Sequence, residues 1–179
     1  MKGLAKKSFF GLIVGMAVLG CGMAFAQGMV VDVKPGSCTN PVNTRSRGVL
    51  PVAIVGLTES ALTVADIDPV TVHIVGVIND DGSDLLFVNP VPAIRSALED
   101  VGSPEDCEAG PDGIDDLILK FKTQDLVSAL KTDAADLVTN NNQVTLIFEA
   151  TLNDGTEAGI DIQIQGTDDI LLKVKKQKK

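Results

Sequence analysis

Every apolar run in this chain is short, and a turn residue closes it. "DLILKFK" (116–122) sets Leu117, Leu119 and Phe121 on one side of an extended chain, and "QVTLIFEATL" (143–152) alternates likewise. "AGIDIQIQG" (158–166) does the same with Ile160, Ile162 and Ile164, after the turn "NDG". A repeat of two is what a strand with one buried face requires, whereas a helix repeats at 3.6. "MVVDVK" (29–34) halts at Pro35-Gly36, "DLLFV" (84–88) follows "NDDGS", and "ILLKVK" (170–175) is the last such run. "GVLPVAIVG" (48–56) and "VTVHIVGV" (70–77) are nearly continuous and β-branched, and the first suits a strand buried on both faces. Pro51 cannot donate to a ladder, so it predicts an edge or a bulge there. Strands separated by Gly, Asn and Asp turns predict an all-β chain, a β-sandwich of about seven to nine short strands. One or two short helices interrupt it. "TQDLVSALK" (123–131) starts on Thr123 as a fair N-cap and places Leu126, Val127 and Leu130 at helical spacing, "DAADLV" (133–138) offers a further turn, and "AIRSALED" (93–100) reads as irregular or extended.

The first 26 residues stand apart from the fold. Lys2, Lys6 and Lys7 precede a 12-residue apolar segment, Phe9 to Gly20, and "AFA" (24–26) supplies the small residues a signal peptidase reads. The segment is shorter than the roughly 20 apolar residues a bilayer requires. Cleavage before Gln27 predicts a secreted, periplasmic or surface protein with no transmembrane helix in the mature chain. A second cut is open: "VLGC" would make Cys21 a lipidated first residue and anchor the chain to an outer membrane. The organisation expected is a signal peptide (1–26), a single β-sandwich domain (27–172) and a basic tail (173–179).

Either cut leaves Cys38 and Cys107 as the thiols able to pair, 69 residues apart. In an exported chain an even count predicts a disulfide, worth roughly 4 kcal/mol in the chain-entropy view for so long a loop. Cleavage after residue 26 removes three lysines and takes the net charge from −9 to −12. Five lysines crowd the last seven residues, so residues 27–172 hold 24 acids against 7 bases. So acidic a surface repels phosphate backbones, which argues against nucleic acid, and attracts divalent cations. There is no Trp or Tyr, and Phe87, Phe121 and Phe148 are the aromatics left after cleavage. Each lies inside an apolar run, leaving little on which a sugar ring could stack.

Several segments together carry a resemblance. "DVKPGSCTNPVNTRSRGVLPVAIVG", "DIDPVTV", "ALEDV", "DCEAGPDGIDDLILKFKTQDLVSAL" and "LNDGTEAG" follow one another in an order that resembles an uncharacterised β-rich module of secreted bacterial proteins. The resemblance spans about Val31 to about Gly159. It implies an extracellular β domain, often set beside other extracellular modules, and no particular activity.

The segment "EDCEAGPDGIDD" (105–116) concentrates six carboxylates around a cysteine. Calcium takes six to eight oxygens and favours Asp-rich loops with a Gly at the turn. Asp106, Glu108, Asp112 and Asp116 are the candidate Ca2+ ligands; the competing reading is a "PDG" turn tethered by Cys107 and solvated by acids. "NDDGSD" (79–84) is a weaker acidic loop and reads first as a hairpin turn. His73 is the lone histidine, within "TVHIV" and with no zinc-ligand spacing around it. Arg45 and Arg47 are expected to pair with the acidic loop across the disulfide. No catalytic residues are assigned. The leading function is a non-enzymatic structural, adhesive or interaction module, disulfide-bridged and calcium-stabilised, whose partner is a protein or cell-surface polymer of unknown identity. Against it stand a surface or periplasmic ligand-binding lipoprotein and, third, a carboxylate-dependent hydrolase.

Overall fold

A computed structural model describes residues 28–56, 63–79, 81–102, 110–152 and 162–174. The signal segment with Cys21, the residues Asp106, Cys107 and Glu108, and most of the basic tail lie outside the described residues. Eight strands form: β1 (Val31–Val33), β2 (Pro41–Asn43), β3 (Val49–Ile54), β4 (His73–Ile78), β5 (Asp84–Glu99), β6 (Asp116–Lys122), β7 (Gln143–Leu152) and β8 (Ile162–Lys173). One helix, α1 (Thr123–Asp133), follows β6 directly, and 3-10 turns cover Val64–Asp66, Pro69–Thr71 and Ala135–Leu137. The chain is all-β with few and short helices, as its alternation predicts.

The strands make one sheet in the order β1-β3-β6-β5-β4-β7-β8-β2. All neighbours are antiparallel except β2 and β8, which run parallel. The sheet curls until its two halves face one another. β5 serves both halves: residues 84–86 and 91–92 pair with β4, residues 87–90 falling out of register beside Ile74–Gly76, and residues 93–99 pair with β6, the register shifting again between Ala93 and Arg95. Phe121 of β6 meets Phe148 of β7 edge to face, ring centroids 6.1 Å apart, across the space between the halves. Around them pack Leu119, Leu146, Ile74, Ile170 and Leu172, all fully buried. The alternation of the sequence is the alternation of this core: Leu117, Leu119 and Phe121 face it from β6, and Val144, Leu146, Phe148, Ala150 and Leu152 from β7.

Three expectations are corrected. Pro51 does not sit on an edge strand, since β3 lies between β1 and β6. Its missing N–H is tolerated because β1 has ended beside it: Val33 is the last residue in register, and Lys34 bends away with φ +59° while its N–H still donates to the Pro51 carbonyl. Thr123 is not the N-cap. It is the first helical residue, buried, and its N–H donates to Gly48 O at 3.1 Å; Lys122 holds the cap position without a side-chain bond. Leu126, Val127 and Leu130 form the buried face as the spacing requires. The last two apolar runs are one strand, β8, that continues through Gly166, Thr167, Asp168 and Asp169.

The reason β8 continues is a seam. The segment before β1 crosses onto β8, where Met29 N–H donates to Gln165 O at 2.9 Å and Gly28 bridges Gln165 in parallel. Gly166 leaves the room: a Cβ there would lie 2.5 Å from Met29 O and 2.6 Å from Val31 Cγ2. Further along, Asp168 Oδ2 accepts from Val33 N–H at 2.6 Å.

Candidate functional site

Three surfaces hold the residues with chemical potential. The first is the acidic turn singled out in the sequence. Asp116 opens β6 and is 1 % exposed. Its Oδ1 accepts from Gly56 N–H at 2.9 Å, and its Oδ2 from Val101 N–H at 2.8 Å and Gly102 N–H at 3.3 Å. One carboxylate thereby ties the chain after β3, the chain after β5 and the start of β6. Asp112 acts elsewhere. Its Oδ1 accepts from Ile114 N–H at 3.0 Å, within the turn that Gly113 makes with φ +90°. That turn is held from outside by Asp100, whose oxygens accept from Asp112 N–H at 2.9 Å and Gly113 N–H at 2.8 Å. Sequence reasoning missed Asp100, which is twelve and thirteen residues from its partners. Among the described residues no group of three or more His, Cys, Asp or Glu side chains is arranged to hold a metal ion. Cys38 lies exposed in the turn between β1 and β2. Arg45 and Arg47 are exposed on the loop into β3, and residues 105–109 of the acidic loop expected to pair with them lie outside the described residues.

The second surface is the seam. Asp168 Oδ2 accepts a second hydrogen bond from Asn40 Nδ2 at 3.2 Å, and Asn40 Nδ2 also donates to Asp169 O at 2.9 Å. Asn40 is 7 % exposed, with a left-handed φ of +41°, and its buried Oδ1 has no partner among the described residues. Asp32 of β1 stands on the outer side of the seam. Burial pushes its carboxyl up to about 6, reinforced by the charges of Asp168 and Asp116. Burial likewise raises Asp168, against the hydrogen bonds from Val33 and Asp169 that lower it.

An acid whose pKa is raised on folding takes up protons as it folds. Its contribution is therefore greatest at low pH and declines as pH rises through the folded value. Stability is expected to increase as pH falls from 7 toward about 4.5. Below that the exposed Asp66 and Asp81 reverse the trend, since hydrogen bonds from Thr63 and Ser83 hold both below the ordinary carboxyl value. Asp32→Asn is expected to flatten the profile between pH 4 and 6 and to raise Tm at pH 7 by a few degrees. For a half-exposed group that corresponds to about 1 kcal/mol after solvent screening. Thermal melts of both proteins across pH 4 to 8 check this, and parallel profiles would refute it.

The third surface is β5. From Asp84 to Glu99 only Phe87 and Val91 are buried, and Leu86 (61 %), Val88 (77 %), Ile94 (40 %) and Leu98 (53 %) are large apolar residues left open to solvent. A cleft of about 290 Å³ separates residues 89–92 of β5 from α1, lined by Asn89, Pro90, Pro92, Ser128 and Thr132. A second depression, about 300 Å³, holds His73. His73 Nδ1 lies 2.7 Å from Thr71 O, which makes that nitrogen the donor, and in the β4–β7 register His73 stands opposite Glu149. The sequence could not show that proximity, because the two residues are 76 positions apart.

Among the described residues no helix is long and apolar enough to cross a membrane. Compared with known protein families, curated proteins and solved structures, the chain matches none. What it does must be read from its own residues.

Proposed function

We propose that the mature chain is an exported, non-enzymatic structural or interaction module, bridged between Cys38 and Cys107. The observation that supports this reading is β5. Four large apolar side chains exposed along one 16-residue strand form a surface suited to contact with another macromolecule, and Leu86 and Val88 are the most exposed of them. The acidic charge outside the basic tail restricts that partner to a protein or to a polymer that is not itself strongly anionic.

The test is adhesion. Beads coated with the mature chain are expected to bind the surface of cells that export it, and Leu86→Lys with Val88→Lys is expected to reduce binding at least about tenfold while leaving the melting temperature within a few degrees, both side chains being exposed. Equal adhesion by both proteins would overturn the reading. Calcium enters as a stabiliser of residues 105–116. A melting temperature that rises in millimolar calcium and falls back with chelator supports that part, and one indifferent to both removes it.

A further inference from the structure

We infer that this module pairs with a second copy of itself along the open half of β5, residues 94–99, about a two-fold axis at Ala97. The inference rests on the interaction reading above and names the partner. The two halves of β5 are protected differently. Along residues 84–86 and 91–92, β4 pairs with β5, and in the out-of-register stretch between them α1 approaches, where Val88 N–H donates to Asp133 Oδ2 at 3.1 Å. Along residues 93–99, β6 occupies one side; on the other, Ala93 N–H donates to Val72 O at 3.2 Å, and beyond it, among the described residues, no strand pairs with residues 94–99. Every residue from 94 to 99 is exposed. Such an edge presents unpaired N–H and C=O groups and is a template for another strand.

The charges select which strand. Arg95 stands opposite Lys120, and Glu99 stands opposite Asp116. Directly opposed like charges are unfavourable in a sheet. Neither Arg95 nor Glu99 forms an ion pair among the described residues, where Lys122 with Asp125 does. The outer face of this edge is thus positive at one end and negative at the other. Antiparallel pairing about Ala97 sets Arg95 of each copy against Glu99 of the other, at both ends at once. Moving the axis to Ser96 or Leu98 loses both pairs, and moving it to Arg95 or Glu99 opposes like charges. At the axis Ala97 meets Ala97, a side chain small enough for the close approach. On the opposite face Ser96 meets Leu98, and the two copies of Leu98 become diagonal neighbours at roughly 7–8 Å, within reach of each other. Exposed apolar surface at Leu98 is then covered by the same pairing that joins the charges.

The test is the mature chain with Ala97→Cys, mildly oxidised and digested. A 97-to-97 cross-linked peptide is expected as the main product. Ser96→Cys and Leu98→Cys should each give little alone and cross-link when mixed, as their opposition requires. In sedimentation equilibrium Arg95→Glu and Glu99→Arg are each expected to weaken association at least about tenfold, and the double exchange to restore it, the signature of a direct charge pair. Thermal melts verify that each variant is folded, and if a charge variant is not, the cross-linking pattern decides. A parent protein that stays monomeric to several hundred micromolar, or Ala97→Cys that cross-links no faster than the exposed control Val70→Cys, overturns the inference. Monomers that still adhere through Leu86 and Val88 would remove the second copy and leave the module reading. Adhesion lost in monomeric Arg95→Glu would mean that a foreign strand takes this edge, which also overturns self-pairing.

Discussion

Replacing Asp116 with alanine is expected to destabilise the protein by about 3 to 5 kcal/mol, more than any other single carboxylate. Three backbone N–H groups, from Gly56, Val101 and Gly102, end on this side chain. At 1 % exposure the site admits no bulk water to replace it. Each buried donor left unsatisfied costs about 1 to 3 kcal/mol, and a bond to a charged acceptor is worth more than one between neutral groups. Asp116→Asn is expected to cost about half as much. It keeps the shape and one acceptor oxygen but turns an NH2 toward a backbone donor. Urea unfolding of the three proteins measures the difference. An alanine variant within 1 kcal/mol of the parent would show that the three segments are held by other means. The ordering alanine below asparagine below parent is as informative as the magnitude, because loss of a bound cation alone would make the two variants alike.

Gly166→Ala is expected to cost about 2 to 4 kcal/mol by opening the seam between the start of the domain and β8. The added methyl would lie 2.5 Å from Met29 O, a backbone atom that no rotamer change can move. Residues 28–31 must shift outward, which strains their packing and lengthens the Met29 N–H to Gln165 O bond, now 2.9 Å. Gly48→Ala is the control, since its nearest neighbour, Ser46 Oγ, would stand 3.5 Å from the methyl in ordinary contact. Denaturant melts give the stability difference, and amide exchange locates it. Met29 should lose protection in Gly166→Ala and keep it in Gly48→Ala. Equal stability of the two variants would mean that the seam yields without cost.

Strands with an uninterrupted repeat of two are legible because their burial is local: β6 and β7 need only that one face meet apolar matter, and their sequences state which face. Legibility fails where distant partners supply the reason for extension. Asp168 and Asp169 read as a break between two runs, yet both stay in β8 because Val33 N–H and the Asn40 amide bind Asp168 while Gln143 and Thr145 bind Asp169. β2 has no repeat to read, being three residues whose pairing lies on β8, 130 positions later. The extended reading of residues 93–100 is right about the backbone and silent about the open edge, which arises because β5 changes partners midway. Asp116 was legible as a candidate calcium ligand, three residues after Gly113 in an acid-crowded turn. Its backbone partners were not, since Gly56 is 60 residues away.

The seam also sets an order of events. Gly28 to Asn43 finds its partners on β3 and on Gln165 to Lys173, so the beginning of the domain is completed by its end. Closing a loop of more than 120 residues carries a large entropic cost that no early contact offsets, and chains dominated by such distant pairings fold slowly. β4 with β5, and β5 with β6, can form from neighbouring sequence while the rest is still absent. β1 can likewise meet β3 early, but β2 and the segment before β1 must wait, because their partners lie on β8. Completion of the sheet therefore depends on its last strand, whichever pairs form first, and a truncation that removes β8 leaves β2 and the segment before β1 with nothing to pair against.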